Sequence, residues 1–222
     1  MAYQNGPKII TDGLVMYLDA GNPKSYPGSG TLWTDLTRNG NNGTLTNGPT
    51  FNSENGGGIV FDGSNDYVLT NYSANPSEIT FELVVKPLNI STGTEKSFLG
   101  KFDGSQYFSI GLQSADSSIY RVGNGGGTID SNFIPANTSS FYSITVTNTS
   151  GARLIYVNGD LKNGSAATAT PSNVAGALYI GSVGGAFWYA AFALYSLKVY
   201  NRILSASEIL QNYNATKGRF KL

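Results

Sequence analysis

The chain has no cysteine and no histidine among its 222 residues. Without cysteine there are no disulfides and no thiolate metal sites. Without histidine, the commonest general base near neutral pH and the commonest zinc ligand are missing, and Ser-His-Asp chemistry is excluded. Charge is scarce and balanced, with 14 basic and 14 acidic residues that make up 13% of the chain. Phosphate recognition needs a basic excess gathered on one face, so nucleic acid is not an expected partner. No apolar run approaches the ~20 residues of a membrane span, and no membrane insertion is expected. The opening stretch MAYQNGPKIITDG lacks the basic and apolar regions of an export signal.

Uncharged polar residues and aromatics are abundant instead. Asn, Ser, Thr and Gly carry the solubility, and 14 Tyr with 11 Phe suit strands and contact surfaces better than helices. Segment I79-T-F-E-L-V-V85 alternates, with Ile79, Phe81, Leu83 and Val85 on one face and Thr80, Glu82 and Val84 on the other. Y142-S-I-T-V-T147 repeats that period of two. The alternation leaves Glu82 on a solvated face. Asn158-Gly159 lies between two apolar runs and predicts a tight hairpin, because both residues accept positive φ. A dozen short strands separated by Gly/Asn turns, without βαβ alternation, predict an all-β antiparallel two-sheet sandwich or jelly roll in one domain. One short C-terminal helix is expected over about residues 205–213, where Ser205 and Glu208 match a capping box. Residues 1–12 then read as an N-terminal arm, 13–213 as the domain and 214–222 as a C-terminal tail.

Several stretches invite a functional reading. Asp62 and Asp66 flank the Gly-Ser-Asn turn of I59-V-F-D-G-S-N-D-Y-V-L-T70. They suit either a strand-to-strand turn, with Asp62 accepting turn N–H groups, or part of a calcium site. Asp35 with Asn39, Asn41 and Asn42 offers the same pair of readings. G184-G-A-F-W-Y-A190 places Phe187, Trp188 and Tyr189 in succession, and three consecutive aromatics cannot all enter one core. They are candidates for stacking on the C–H faces of a sugar, with Tyr26, Trp33 and Tyr72 as further candidates. G123-N-G-G-G-T128 has neither the lysine nor the following helix of a phosphate loop and reads as a turn. Ile9 and Ile10 give the arm an apolar element that could dock on a partner's sheet edge or on a second copy of the chain.

The order G13-L-V-M-Y-L-D19, D35-L-T-R-N-G-N-N-G-T-L45, F61-D-G-S-N-D-Y-V68, I79-T-F-E-L-V-V-K-P87, L154-I-Y-V-N-G-D-L161, L178-Y-I-G181 and V199-Y-N-R-I-L-S-A-S-E-I-L210 resembles the laminin-G-like, concanavalin A-like lectin/glucanase jelly rolls over about residues 13–213. The resemblance implies a lectin-like sandwich in which Ca2+ is sometimes bound. Glucanases that share it carry E-x-D-x-E or E-x-D-x-x-E on one strand face. Glu54, Glu78, Glu82, Glu95 and Glu208 form no such motif, so no enzymatic activity is expected. Phe141-Tyr142 stands where the family usually has a Trp, which keeps an aromatic at that place. Residues 1–13 and the stretch G21-N-P-K-S-Y-P-G-S-G30 are similar to small stand-alone proteins of tailed, particularly marine, bacteriophages. That likeness implies a virion structural, capsid-decoration or tail-fibre protein, assembled in the host cytoplasm. Its expected partners are other virion proteins, a second copy of the chain or host-surface polysaccharide. A bacterial carbohydrate-binding adhesion module is the alternative.

Overall fold

The computed structural model describes residues 7–117, 119–123, 129–133, 135, 137–149, 152–165, 174–220 and 222. The reading of G123-N-G-G-G-T128 therefore falls mostly outside the described residues. The first strands are β1 (Leu14–Asp19), β2 (Leu32–Trp33), β3 (Gly43–Thr46), β4 (Thr50–Asn52), β5 (Gly58–Asp62) and β6 (Tyr67–Thr70). The middle of the chain supplies β7 (Ile79–Pro87), β8 (Lys96–Phe102), β9 (Tyr107–Leu112), β10 (Ile119–Gly123) and β11 (Ile129–Asp130). The last are β12 (Tyr142–Asn148), β13 (Arg153–Val157), β14 (Asp160–Ser165), β15 (Tyr179–Ile180) and β16 (Ala191–Tyr200), followed by helix α1 (Ala206–Phe220).

The strands form two antiparallel sheets. Sheet A runs β14-β13-β12-β7-β16-β5-β4, with β1 paired to the far half of β16. Sheet B runs β11-β10-β9-β8-β15-β6-β3-β2. The ten-residue β16 pairs with β7 along its length, and a register shift between Leu194 and Ser196 separates the half facing β5 from the half facing β1. The core lies between the sheets. Phe81, Leu83, Val85, Ile144, Val146, Leu194, Leu197 and Val199 from sheet A meet Val68, Phe98, Leu99, Phe108, Ile110 and Ile180 from sheet B. Phe192 joins the layers, stacked on Phe61 at 4.6 Å and tilted against Phe98 at 4.8 Å. The expected hairpin at Asn158-Gly159 forms, with φ of 54° and 83°. The aromatic at Tyr142 is buried and sits edge-on to Phe133, while Phe141 sits edge-on to Tyr195.

The C-terminal segment departs from expectation. The capping box forms as read: Ser205 N–H donates to Glu208 Oε2 at 2.8 Å, and Glu208 N–H donates to Ser205 Oγ at 3.3 Å. The helix then continues through residues 214–220, which the sequence read as a tail. Gly218 does not end it, because the last turn is tied to the sandwich. Phe220 is 1% exposed and packs edge-on to Tyr195, and Arg219 grips both carboxylate oxygens of Asp19 at 2.7 Å. Helix α1 thereby covers the outer face of sheet A, and that covering corrects the reading of Glu82. Glu82 is 1% exposed, ion-paired to the fully buried Lys198, and accepts the Asn212 amide at 2.7 Å. Residues 7–12 are tied down in the same region. Ile10 N–H donates to Asn212 Oδ1 at 2.7 Å, and the Ile10 carbonyl accepts the Tyr200 hydroxyl at 3.1 Å. Ile10 packs against the small cluster of Tyr200, Leu204 and Ile209, and Ile9 is half-buried.

Candidate functional site

Among the described residues the outer face of sheet B has no helix over it. Its cover is the segment from Gly181 to Ala190, held by the Ser97 N–H donating to the Trp188 carbonyl at 2.7 Å and the Gly181 N–H donating to the Phe98 carbonyl at 3.0 Å. Gly181, Gly184 and Gly185 all have positive φ. At Gly184 a Cβ would lie 2.9 Å from Phe102 Cβ, so glycine lets the loop settle on the sheet.

This close approach builds an aromatic cleft. Phe102 and Tyr107 end the β8–β9 hairpin as a cross-strand pair, on the outward positions of their strands. Phe187 stands edge-on to Phe102 at 5.7 Å, and Trp188 stands edge-on to Tyr107 at 4.9 Å and 88°. Together with Val183 these side chains bound an open cleft of about 200 Å3. Phe187 is 50% exposed and Trp188 is half-buried. Trp188 has φ of 55°, a conformation that costs a bulky residue on the order of 1–3 kcal/mol and concentrates at functional positions. Tyr189 turns aside and donates its hydroxyl to the Gly185 carbonyl. Tyr67 and Tyr179, tilted at 5.8 Å on the same outer face, extend the aromatic surface, and a Cβ at Gly185 would touch both rings. The hairpin turn at the rim carries Asp103, whose carboxylate accepts the Gln106 and Ser105 N–H groups, which hold its pKa below the usual range.

The structure thus brings Phe187 and Trp188 together, with Tyr189 as their buttress. It puts Tyr26, Trp33 and Tyr72 elsewhere: they are 4%, 0% and 2% exposed and belong to the core. Trp33 and Tyr26 pack edge-on within the sandwich, which leaves neither ring an open face for a sugar. Phe102, Tyr107 and Val183 were not singled out from sequence. The available signal was the aromatic on each side of the D103-G-S-Q106 turn.

The carboxylates divide between turns. Asp62 Oδ1 accepts the Ser64 and Asn65 N–H groups at 2.7 and 3.4 Å, and the Ser64 bond lowers the Asp62 pKa. Asp66 is 5% exposed and accepts the Asp62 N–H at 3.0 Å, and burial raises its pKa. Asp35 likewise serves its own loop, accepting N–H groups of Tyr17, Thr37 and Asn41. Among the described residues no three Asp or Glu side chains are grouped to hold a metal ion. A calcium shell takes about six to eight oxygens, so Asp62 and Asp66 would need further ligands even if both carboxylates bound through two oxygens.

Comparison with known proteins identifies the class. The model of the concanavalin A-like lectin/glucanases superfamily matches residues 62–210, and the chain belongs to that family. The fold is shared with Trypanosoma rangeli sialidase, at a TM-score of 0.71 and 17% identity, over 97% of this chain and 36% of the sialidase. This chain thus spans about a third of that enzyme's length. Domain 4 of a GH43 extracellular arabinanase from Geobacillus stearothermophilus, solved in complex with arabinotriose, is similar over 90% of this chain and 98% of its own length, at a TM-score of 0.68 and 18% identity. The binding domain of Paraclostridial Mosquitocidal Protein 1 gives the same TM-score at 17% identity, over 91% of this chain and 52% of that one. No curated protein sequence matches the chain.

Proposed function

We propose that the chain is a non-catalytic glycan-binding module that seats sugar rings in the cleft of Phe102, Tyr107, Val183, Phe187 and Trp188. The observation that carries this reading is the half-exposed Phe187–Trp188 pair over the outer face of sheet B, with Trp188 in a strained backbone. Aromatic faces stack on sugar C–H groups, and the Asp103–Gln106 turn at the rim offers polar partners for hydroxyls. The arabinotriose complex of the similar domain supports a saccharide as the class of ligand. Catalysis is not part of the proposal. Glycoside hydrolysis generally uses two carboxyl groups about 5–9.5 Å apart, and none lines this cleft. No Ca2+ is required either, since the Asp62 and Asp66 carboxylates serve their own turn.

Titration calorimetry against a panel of neutral oligosaccharides tests the reading. Binding to at least one neutral chain is expected, unchanged by EDTA and without release of reducing ends, and Trp188→Ala should weaken it about tenfold or more. Full affinity in Trp188→Ala and Phe187→Ala would remove the cleft from the account.

We further propose a virion role for the module, on the sequence resemblance of residues 1–13 and 21–30 to tailed-bacteriophage proteins. It would be a virion surface component, capsid decoration or tail fibre, that presents the cleft to host polysaccharide. A bacterial adhesion module is the alternative. Mass spectrometry of purified particles tests the virion role, and absence of the chain from particles would favour the adhesion module.

A further inference from the structure

Beside the cleft, at the end of the sandwich, lies a second group of side chains that glycan stacking does not use. β8 alternates there, so Phe102 turns out to the cleft while Lys101 turns inward. Lys101 is 5% exposed and donates to the Ala74 carbonyl at 2.9 Å and the Ser73 carbonyl at 3.5 Å. Its Nζ lies 5.5 Å from the centre of the Tyr72 ring. Among the described residues no carboxylate lies within ion-pair distance of it. Burial lowers its pKa to about 8, so it remains cationic at neutral pH. Buried ammonium groups are as a rule paired, and this one is not. Tyr72 is 2% exposed, and its hydroxyl is a buried polar group without a partner.

Tyr72 borders a recess, and Lys101 borders a small cavity beside it. Tyr72 walls an open space of about 560 Å3, together with Val15, Asn39, Asn41, Asn201 and the loop of Ala74, Asn75 and Pro76. On the other side of that loop a cavity of about 20 Å3 touches Lys101 and Asn148. A cavity of this size holds about one water. A single loop therefore separates the recess from the ammonium, and among the described residues no carboxylate lines either space. The amides of Asn39 and Asn41 donate to the Val15 carbonyl at 3.0 and 2.8 Å, so their oxygens remain as acceptors for sugar hydroxyls.

We propose that this recess is a second binding site, for a sugar that carries a carboxylate. The amides of Asn39, Asn41, Asn75 and Asn201 engage its hydroxyls, while Tyr72 and Lys101 attract its acid group. The site is independent of the aromatic cleft. Calorimetry of the full chain with trigalacturonate and with the neutral galactose trimer is the test. The acidic trimer is expected to bind at least tenfold more tightly at low salt. Lys101→Met and Asn75→Ala should each reduce that preference severalfold, with circular dichroism confirming the fold. Asn75 is exposed, so its replacement tests the site even if Lys101→Met unfolds. Trp188→Ala should weaken the neutral ligand and leave the acidic preference in place, which separates failure of this site from failure of the cleft. Equal affinities in the wild type, a preference that survives Asn75→Ala, or one lost with Trp188 would overturn the proposal. Tighter binding of a sulfated trimer than of the uronate would overturn the assignment to a carboxylate.

Discussion

The outer faces of the two sheets are used in opposite ways. On sheet A the polar positions are closed over: Glu82, Lys198, Asn212 and Tyr200 form a buried hydrogen-bonded group beneath helix α1 and residues 8–10. On sheet B part of the outer face is apolar and open, with Leu32 at 54% and Leu69 at 38% exposure, and Phe187 of the covering segment is 50% exposed. Hydrophobicity alone would assign these roles the other way round. A buried charge is tolerated only when its partners are fixed, so the sheet A group ties the helix to the sheet at one orientation. An exposed aromatic contributes little to folding, and a group of them bounding a cleft is the arrangement on which the proposed function rests. Under the proposed function, stability and recognition occupy different faces of one sandwich.

That contrast makes its strongest demand at Glu82. Glu82→Ala leaves the Lys198 ammonium buried without its counter-ion, and a loss of about 3–5 kcal/mol is expected in urea unfolding. Replacing Glu82 and Lys198 together by Leu and Met should cost much less than the single change. If the single variant is as stable as the wild type, the buried pair is not what fastens α1. On sheet B, Trp188→Ala is expected to change stability by less than about 1 kcal/mol, because the ring is only half-buried and alanine keeps the same positive φ. A larger loss in thermal unfolding would make Trp188 a folding residue and erase the contrast. A pH-dependent effect belongs to the edge of the covered face. Glu208 is held at a pKa of about 2 by the Arg202 side chain and the Ser205 N–H. Its folded pKa lies below the unfolded value of 4.5, so its contribution is present above about pH 4.5 and fades as pH falls toward 2. Glu208→Gln should flatten that part of the stability profile, by about 1 kcal/mol as for other caps.

Much of the sandwich was legible because period-two alternation and Asn-Gly turns are local signals. The hairpin at Asn158-Gly159 and the box at Ser205 and Glu208 needed no knowledge of distant residues. Glu82 was misread for the complementary reason. Alternation reports which residues avoid the core between the sheets, and it is blind to a helix that later covers the other face. The end of α1 was missed likewise, since Gly218 signals a stop locally and the anchors Asp19 and Tyr195 lie far away in sequence. At the site, three aromatics in a row announced a surface. Their partners Phe102 and Tyr107 come from a separate hairpin, and nothing in the spacing joins it to residue 188. Tyr26 and Trp33 look equally available in a glycine-rich loop, but that loop folds inward.

The pairing of β1 with β16 also sets an order in time. Asp19 faces Ser196 and Tyr17 faces Lys198, so the centre of sheet A is completed only when residues near both ends of the domain meet. Closing so long a loop has a large entropic cost that must be met before its contacts form, and sandwiches dominated by such pairings fold in milliseconds to seconds. On the ribosome, β7 would wait with one edge unpaired until β16 emerged. During that interval its alternating Ile79, Phe81, Leu83 and Val85 offer a template to any neighbouring strand, so an aggregation risk lasts until β16 is made.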